Sequence, residues 1–294
     1  MKTNLALTLL LLLAACTSQN YELAYVNDEN GKLDIFLFDS KNITDTLLIS
    51  SENTKYNMVW SSDGKSLYFT EYKQGSRSIM RYNLESKKNE ELLSDTLTLT
   101  LNDVSKDGKT LLVSSGRDQV KGEIYSYHQP TKEWFRLTKN ELYESGAKFS
   151  PDESQVIASI QTQAGDSIYR SGIAEIFQIN VQNPTNQKQL TSLKHFNALP
   201  DYSPNGEQIA FHHCDTGNCD IYVMNADGSN QVNITQGIDD NRWPRWSPDG
   251  RVLAFTKTLD GNSEIYIWNS STKEITPLIT SPKRDEIAEF RQKN

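Results

Sequence analysis

The sequence predicts an all-β protein, a six-bladed β-propeller of four-stranded antiparallel blades, and three observations lead there. An aromatic or apolar anchor followed by a tight turn recurs at Trp60, Val104, Phe149, Tyr202, Trp246 and Phe290. The steps are about 44 residues long, with one longer, a period that signals a radial or stacked array. A second register keeps the same beat at Ile35, Ile79, Ile124, Ile176, Ile221 and Ile265. A third follows each of these by 13 or 14 residues: Leu48, Leu92, Leu137, Leu190, Ile234 and Leu278.

Within one repeat the elements follow in order. The first strand ends on the anchor, as in Trp243 to Trp246. Asp249-Gly250 then supplies the positive backbone dihedrals of a tight hairpin. Asp63-Gly64, Asp107-Gly108 and Asn205-Gly206 stand at the same place, and Asp152-Glu153 is the exception. The second strand, 252–256, alternates with period two, and the third, 264–268, follows a polar tip with Gly261. A turn of Asn, Ser, Thr and Lys precedes the fourth strand. Four antiparallel strands repeated around an axis make propeller blades.

The chain ends predict how the array finishes. Residues 21–51 supply strands two, three and four of a blade without its first strand. The missing strand stands at 285–294, where Phe290 takes the anchor position. The C-terminal strand should therefore pair with the N-terminal blade and close the ring, leaving few exposed edges. The domain plan is a leader at 1–15, a tether at 16–20 and one propeller over 21–294.

The phrase at 246–266, WSPDGRVLAFTKTLDGNSEIY, resembles the repeat of TolB-type propellers, which also occurs in some prolyl-oligopeptidase and tricorn-like proteases. The likeness runs from about residue 21 to the C-terminus and is strongest over 197–280. TolB carries a further α/β domain before its propeller. Only a few residues separate Cys16 from the first strand here, so a propeller without that domain is expected. TolB-type propellers dock a peptidoglycan-associated lipoprotein, so the resemblance implies an envelope partner.

Lys2, an apolar run from Leu5 to Leu13 and the small residues Ala14 and Ala15 form a secretion signal too short for a stable span. Leu13-Ala14-Ala15-Cys16 resembles a bacterial lipoprotein box, which implies acylation of Cys16. Thr17, rather than Asp, resembles lipoproteins sent to the outer membrane. The expected place is that membrane, facing the periplasm or the cell surface, with a monomeric propeller held close to the lipid.

The formal charge of −8 argues against a nucleic-acid partner. Charges are spread along strands and turns rather than blocked, so most read as solvated surface. Cys214 and Cys219 flank a hairpin tip, and an oxidising compartment favours a disulfide between them. The competing metal set is His212, His213, Cys214 and Cys219, and a separate weak one is His195, His212 and His213. Adjacent His212 and His213 point to opposite faces of a strand, which weakens the first.

The chain contains no G-x-S-x-G elbow, phosphate loop, H-E-x-x-H helix or EF-hand loop. No catalytic residues and no cofactor are expected. One blade carries an insertion at 161–175 in which Ile168, Tyr169 and Arg170 combine apolar, aromatic and cationic character, a hot-spot mixture. Arg117, Asp118, Asp239, Asp240 and Arg242 align to loops on the same face. The first reading is a lipid-anchored, non-enzymatic module that binds an envelope or periplasmic protein through its loop face and channel mouth. The alternative is an oligosaccharide-binding or uronate-lyase-type propeller using a divalent ion.

Overall fold

The computed structural model describes residues 20–28, 31–164, 172–215, 217–237 and 239–292. Cys16, the leader and the trio Ile168, Tyr169 and Arg170 lie outside the described residues. Twenty-four strands form among those described. They are β1 (Glu22–Asn27), β2 (Asp34–Asp39) and β3 (Thr44–Ile49), then β4 (Thr54–Trp60), β5 (Ser66–Lys73), β6 (Ser76–Asn83) and β7 (Lys88–Asp95). Next come β8 (Leu99–Val104), β9 (Thr110–Ser115), β10 (Glu123–His128) and β11 (Glu133–Arg136). The insertion-bearing repeat gives β12 (Glu144–Phe149), β13 (Gln155–Gln163), β14 (Ile173–Asn180) and β15 (Gln187–Gln189). Then follow β16 (Phe196–Tyr202), β17 (Gln208–Cys214), β18 (Cys219–Asn225) and β19 (Val232–Asn233). The last strands are β20 (Asp240–Trp246), β21 (Val252–Leu259), β22 (Asn262–Asn269), β23 (Ile275–Ile279) and β24 (Asp285–Phe290).

These strands build a propeller of antiparallel, four-stranded blades. Four sheets stand alone, in the orders β24-β1-β2-β3, β4-β5-β6-β7, β11-β10-β9-β8 and β20-β21-β22-β23. The strands from β12 to β19 make one eight-stranded sheet. Its two halves meet at a single parallel pair, Ala174 opposite Phe196, while all its other pairings are antiparallel. In the first sheet β24 lies antiparallel to β1, with Leu23 opposite Phe290 and Asn27 opposite Asp285. The inner strands touch in the succession β24, β4, β8, β12, β16, β20 and β24 again.

Five hydrophobic clusters sit between two neighbouring sheets, and the sixth, with Ile157, Ile176, Tyr202 and Phe211, sits between the two halves of the eight-stranded sheet, because covered faces must bury apolar side chains. Trp60 packs with Ala24, Val26 and Ile35 of the preceding sheet. Trp246 does the same with Ala210, Ile221 and Val223, and Phe290 with Val252 and Ala254. The anchor recurs because each seam takes an apolar residue at that position, aromatic in five repeats and Val104 in the sixth. Burying one such side chain contributes roughly 1.5–3 kcal/mol.

The turn after each anchor explains the second half of the motif. Ser61, Ser105, Ser150 and Ser247 donate to Asp63, Asp107, Asp152 and Asp249 at 2.6–2.7 Å, and Ser203 donates to Asn205 at 2.7 Å. Glu153, at the exceptional position, takes the same left-handed backbone that Gly64, Gly108, Gly206 and Gly250 take elsewhere, with φ of 60°. The third register marks the fourth strands, since Leu48, Leu92 and Leu278 lie in β3, β7 and β23. The partners of Ile35, Ile79 and Ile265 across the third and fourth strands are Ile49, Leu93 and Ile279, one residue beyond Leu48, Leu92 and Leu278. A register shift directly after each isoleucine moves the inward position by one.

Strand direction defines two faces. Turns between first and second and between third and fourth strands of a blade lie on one, here the turn face. The remaining loops lie on the other, the mouth face. Among the described residues no helix is long and apolar enough to cross a membrane.

Candidate functional site

The inner strands carry an irregularity that the sequence did not announce. Asn57, Gly146, Leu199, Trp243 and Ile287 have φ between 50° and 64°, each beside a register shift in its strand pairing. They sit at one repeated position, and four are not glycine. A left-handed backbone is costly for bulky or β-branched side chains and persists only where the surroundings enforce it. The bulges turn side chains towards the propeller axis. Gly146 must be glycine, since a Cβ there would lie 2.8 Å from Leu199 Cδ2 and 3.0 Å from its Cα.

Around these bulges opens a cavity of about 260 Å³ lined by Tyr56, Asn57, Leu199, Trp243, Arg245, Arg284, Glu286 and Ile287. Its walls come from β4, β16, β20 and β24, so it is the axial mouth. Arg284, at the rim, donates to both carboxylate oxygens of Glu286 at 2.9 Å. Burial, then the neighbouring Tyr72, raises the Tyr56 phenol above its ordinary pKa, which keeps it a neutral donor. A shallower basin beside it, between Asp28, Asp260 and Lys283, shares Arg284.

Below the mouth lies a layer of ions. The residue before the anchor joins it in five repeats, as Asp103, Lys148, Asp201, Arg245 and Glu289, whereas Val59 in the remaining one packs into the apolar seam with Tyr68 and Leu99. Arg245 Nε lies 2.9 Å from Glu289 Oε2, and Lys148 Nζ lies 3.5 Å from Asp103 Oδ1 and 3.9 Å from Glu289 Oε1. Asp103 also accepts from the Phe149 amide at 2.9 Å, and Asp201 from the Trp246 amide at 2.8 Å. Burial pushes the Asp201 and Glu289 carboxyls up, opposed by Lys148 and Arg245. Burial pulls the Lys148 ammonium down, but Asp103 and Glu289 outweigh it and hold it above its ordinary value. These five are buried exceptions to a set of charges expected to be mostly solvated surface. The signal was present, because these residues share the anchor's period.

The other expected site residues each contact a neighbour within the protein. Arg117 stacks over Trp134 at 4.5 Å, and Asp118 accepts from the Tyr125 hydroxyl at 2.5 Å. Asp239 pairs with Lys257 at 2.7 Å. Asp240 accepts from the Cys219 amide at 3.0 Å and from Arg242 Nε at 2.8 Å. Arg117 and Asp118 stay exposed on the mouth face, while Asp239, Asp240 and Arg242 are half-buried there.

Cys214 and Cys219 are joined by a disulfide. The three histidines do not converge. His195 and His213 approach with ring centroids 6.2 Å apart, His195 against Asp215 and His213 against Asn197. His212 points the other way and is buried, and its pKa falls to about 3 through burial and then Arg242 and Arg245. Among the described residues no three His, Cys, Asp or Glu side chains are placed to hold a metal.

Comparison with known proteins follows the repeat. Residues 168–290 match the family described as the TolB beta propeller domain. Those residues carry the TolB-type repeat. The chain superimposes on TolB from Acinetobacter baumannii with a TM-score of 0.79 and 19% identity, over 92% of this chain and 66% of that one. It therefore spans about two thirds of that TolB's length. Putative TolB from Agrobacterium tumefaciens gives 0.69 and 20%, over 93% and 91%. An oligogalacturonate lyase in complex with manganese gives 0.59 and 16%, over 90% and 74%. At these identities the solved structures speak to the fold alone. Both TolB-like and lyase scaffolds share the blade architecture seen here.

Proposed function

We propose that this TolB-like propeller is a closed ring of six blades that performs no chemistry and captures an envelope protein at its axial mouth, held to the outer membrane by acylated Cys16. The six-blade count takes the eight-stranded sheet as two blades sharing one parallel bridge. The closure rests on the β24–β1 pairing. The observation that carries the binding reading is the mouth itself. Strained backbone at Asn57, Leu199, Trp243 and Ile287 holds an aromatic and apolar collar open over a floor of paired ions. Strain kept at a concave surface is characteristic of binding sites. A collar of Trp and Tyr with Arg at the rim has hot-spot composition. The paired floor leaves little capacity to draw an unpaired charge through the axis.

A photoreactive residue replacing Trp243 in intact cells should crosslink to one envelope protein. The added change Arg284→Glu should abolish that product while the melting temperature stays put. No crosslink from Trp243, with efficient ones from the outer strands, would remove the mouth as the capture site. The oligosaccharide reading draws support from the lyase scaffold and from the His195–His213–Asp215 group on the same face. A shift in melting temperature with uronate oligomers would favour it, since ligand binding stabilises by mass action.

A further inference from the structure

We propose that the turn face is the side of the protein laid against the bilayer, with Ile43 touching lipid, so that the mouth faces away from the membrane. The inference rests on the reading of Cys16 as the lipid-bearing residue, and it adds an orientation and a contact that reading does not contain.

The first described residues fix where the tether leaves the body. The Tyr21 amide donates to Ser40 Oγ at 2.7 Å, and the Ser40 amide donates back to the Tyr21 carbonyl at 3.0 Å. The Tyr21 hydroxyl reaches Asp249 at 3.3 Å, and its ring meets Phe290 edge-on at 5.3 Å. Ser40 belongs to the turn between β2 and β3, and Asp249 to the turn between β20 and β21. Both lie on the turn face. The segment from Cys16 to Tyr21 reaches at most about 17 Å when fully extended. An acyl chain buried at Cys16 therefore holds this face, not the mouth, beside the lipid.

The turn that holds Tyr21 also carries the odd residue of the face. Ile43 is 73% exposed and has φ of 51°, a conformation that β-branched side chains rarely adopt. The matching turns of three other blades place Lys87, Lys132 and Lys273 there, with φ of 55°, 59° and 64°. The β18–β19 turn places Asn230 there, so among the described turns with this backbone a branched apolar side chain appears next to the tether, where three others present an ammonium and one an amide. Exposed Lys41, Arg251 and Lys273 nearby are offset by Asp249 and Glu274, so the surface is neither strongly attracted to nor repelled by a headgroup layer. The tether sets the orientation, and Ile43 supplies the apolar contact.

The consequence is functional. The cavity around Trp243, the Cys214–Cys219 hairpin and Arg117 all sit on the opposite face and would look into the compartment, open to a partner approaching from outside the membrane.

The test uses full-length protein purified from membranes and reconstituted into phosphatidylethanolamine and phosphatidylglycerol vesicles. Mass spectrometry of the N-terminal peptide first reads the acylation of Cys16. Ile43→Cys and Val120→Cys each receive one fluorophore; Val120 is 78% exposed in the turn between β9 and β10, on the mouth face. Nitroxide-bearing lipids should extinguish most emission from the Ile43→Cys protein and leave the Val120→Cys protein bright. Equal quenching, or stronger quenching at Val120→Cys, with Cys16 acylated overturns the orientation while leaving the anchor intact. An unmodified Cys16 overturns the inference at its premise.

Discussion

Arg245 on β20 donates from Nε to Glu289 on β24 at 2.9 Å, joining two successive inner strands whose residues are 44 apart in the sequence. The same carboxylate lies 3.9 Å from Lys148 on β12, across the axis. One acid from the last strand thus serves cations from two other blades. A partly open pair of this kind would be worth little, but these groups are almost fully shielded from water. Removing one member strands its partner's charge, at a cost of about 3–5 kcal/mol.

Arg245→Leu should therefore lower stability to denaturant by about 3–5 kcal/mol. The double change Arg245→Leu with Glu289→Gln should recover part of that loss, since Glu289 no longer carries a charge without its arginine, while Asp201 still loses Arg245 and Lys148 still loses Glu289. A double-mutant cycle by urea unfolding measures the coupling. Additive losses in the two single variants would mean that the layer acts as separate charges.

A second acid reports on the seams between blades through pH. Glu144 is buried against Glu123, and burial, opposed by the hydrogen bond from Thr138 and aggravated by Glu123, pushes its pKa up to about 7. The folded protein thus holds a proton on Glu144 that the unfolded chain releases near the ordinary value of 4.5. For an acid raised in this way the stabilising contribution is complete below 4.5 and shrinks as pH rises towards about 7. Glu144→Gln mimics the protonated side chain. It should melt close to the parent at pH 5 and above it at pH 8. Identical differences at both pH values would show that Glu144 keeps one charge state throughout.

The hairpin disulfide closes a short loop, so its contribution should be moderate. Cys214 and Cys219 are separated by five residues, and constraining such a loop in the unfolded chain contributes roughly 2 kcal/mol. Reduction, or Cys214→Ser with Cys219→Ser, should lower the melting temperature by several degrees without unfolding the protein at room temperature. The neighbouring His195–Asp215 contact depends on the same tip, and its loss should appear in the histidine NMR resonances. Complete unfolding on reduction would contradict the small loop term.

The parts of this fold that were legible in the sequence are those with a fixed chemical requirement. A seam needs an apolar residue at the anchor, so Trp60, Trp246 and Phe290 announced it. The turn after each anchor needs a small or left-handed residue, so Gly64 and Gly250 announced that. The ion layer stayed hidden although Asp103, Lys148, Asp201, Arg245 and Glu289 keep the same period. In a strand the neighbour of an inward residue points the other way, and that direction usually means water. Here it means the axis, which only the assembled inner strands create. The bulges were illegible for a different reason: Leu199, Trp243 and Ile287 have no local preference for the backbone they adopt, and the surrounding ring imposes it.

The strand that ends the described chain offers the most direct test of the ring. β24 supplies Phe290 to the cluster between the first and last sheets, Glu289 to the ion layer and the carbonyl that accepts from Trp60 Nε1 at 3.1 Å. Asn27 donates to Asp285 at 2.6 Å, and Arg291 reaches Glu22 at 2.5 Å. Deleting 285–294 exposes the edge of β1 and leaves both Arg245 and Lys148 without Glu289. The truncated protein should lose its cooperative thermal transition, bind a hydrophobic dye and aggregate through the freed edge. A peptide of residues 283–294 added in trans should restore part of the transition, because β-strand addition uses the same backbone bonds. A truncated chain that melts like the full one, with no response to the peptide, would mean that the ring does not depend on its last strand.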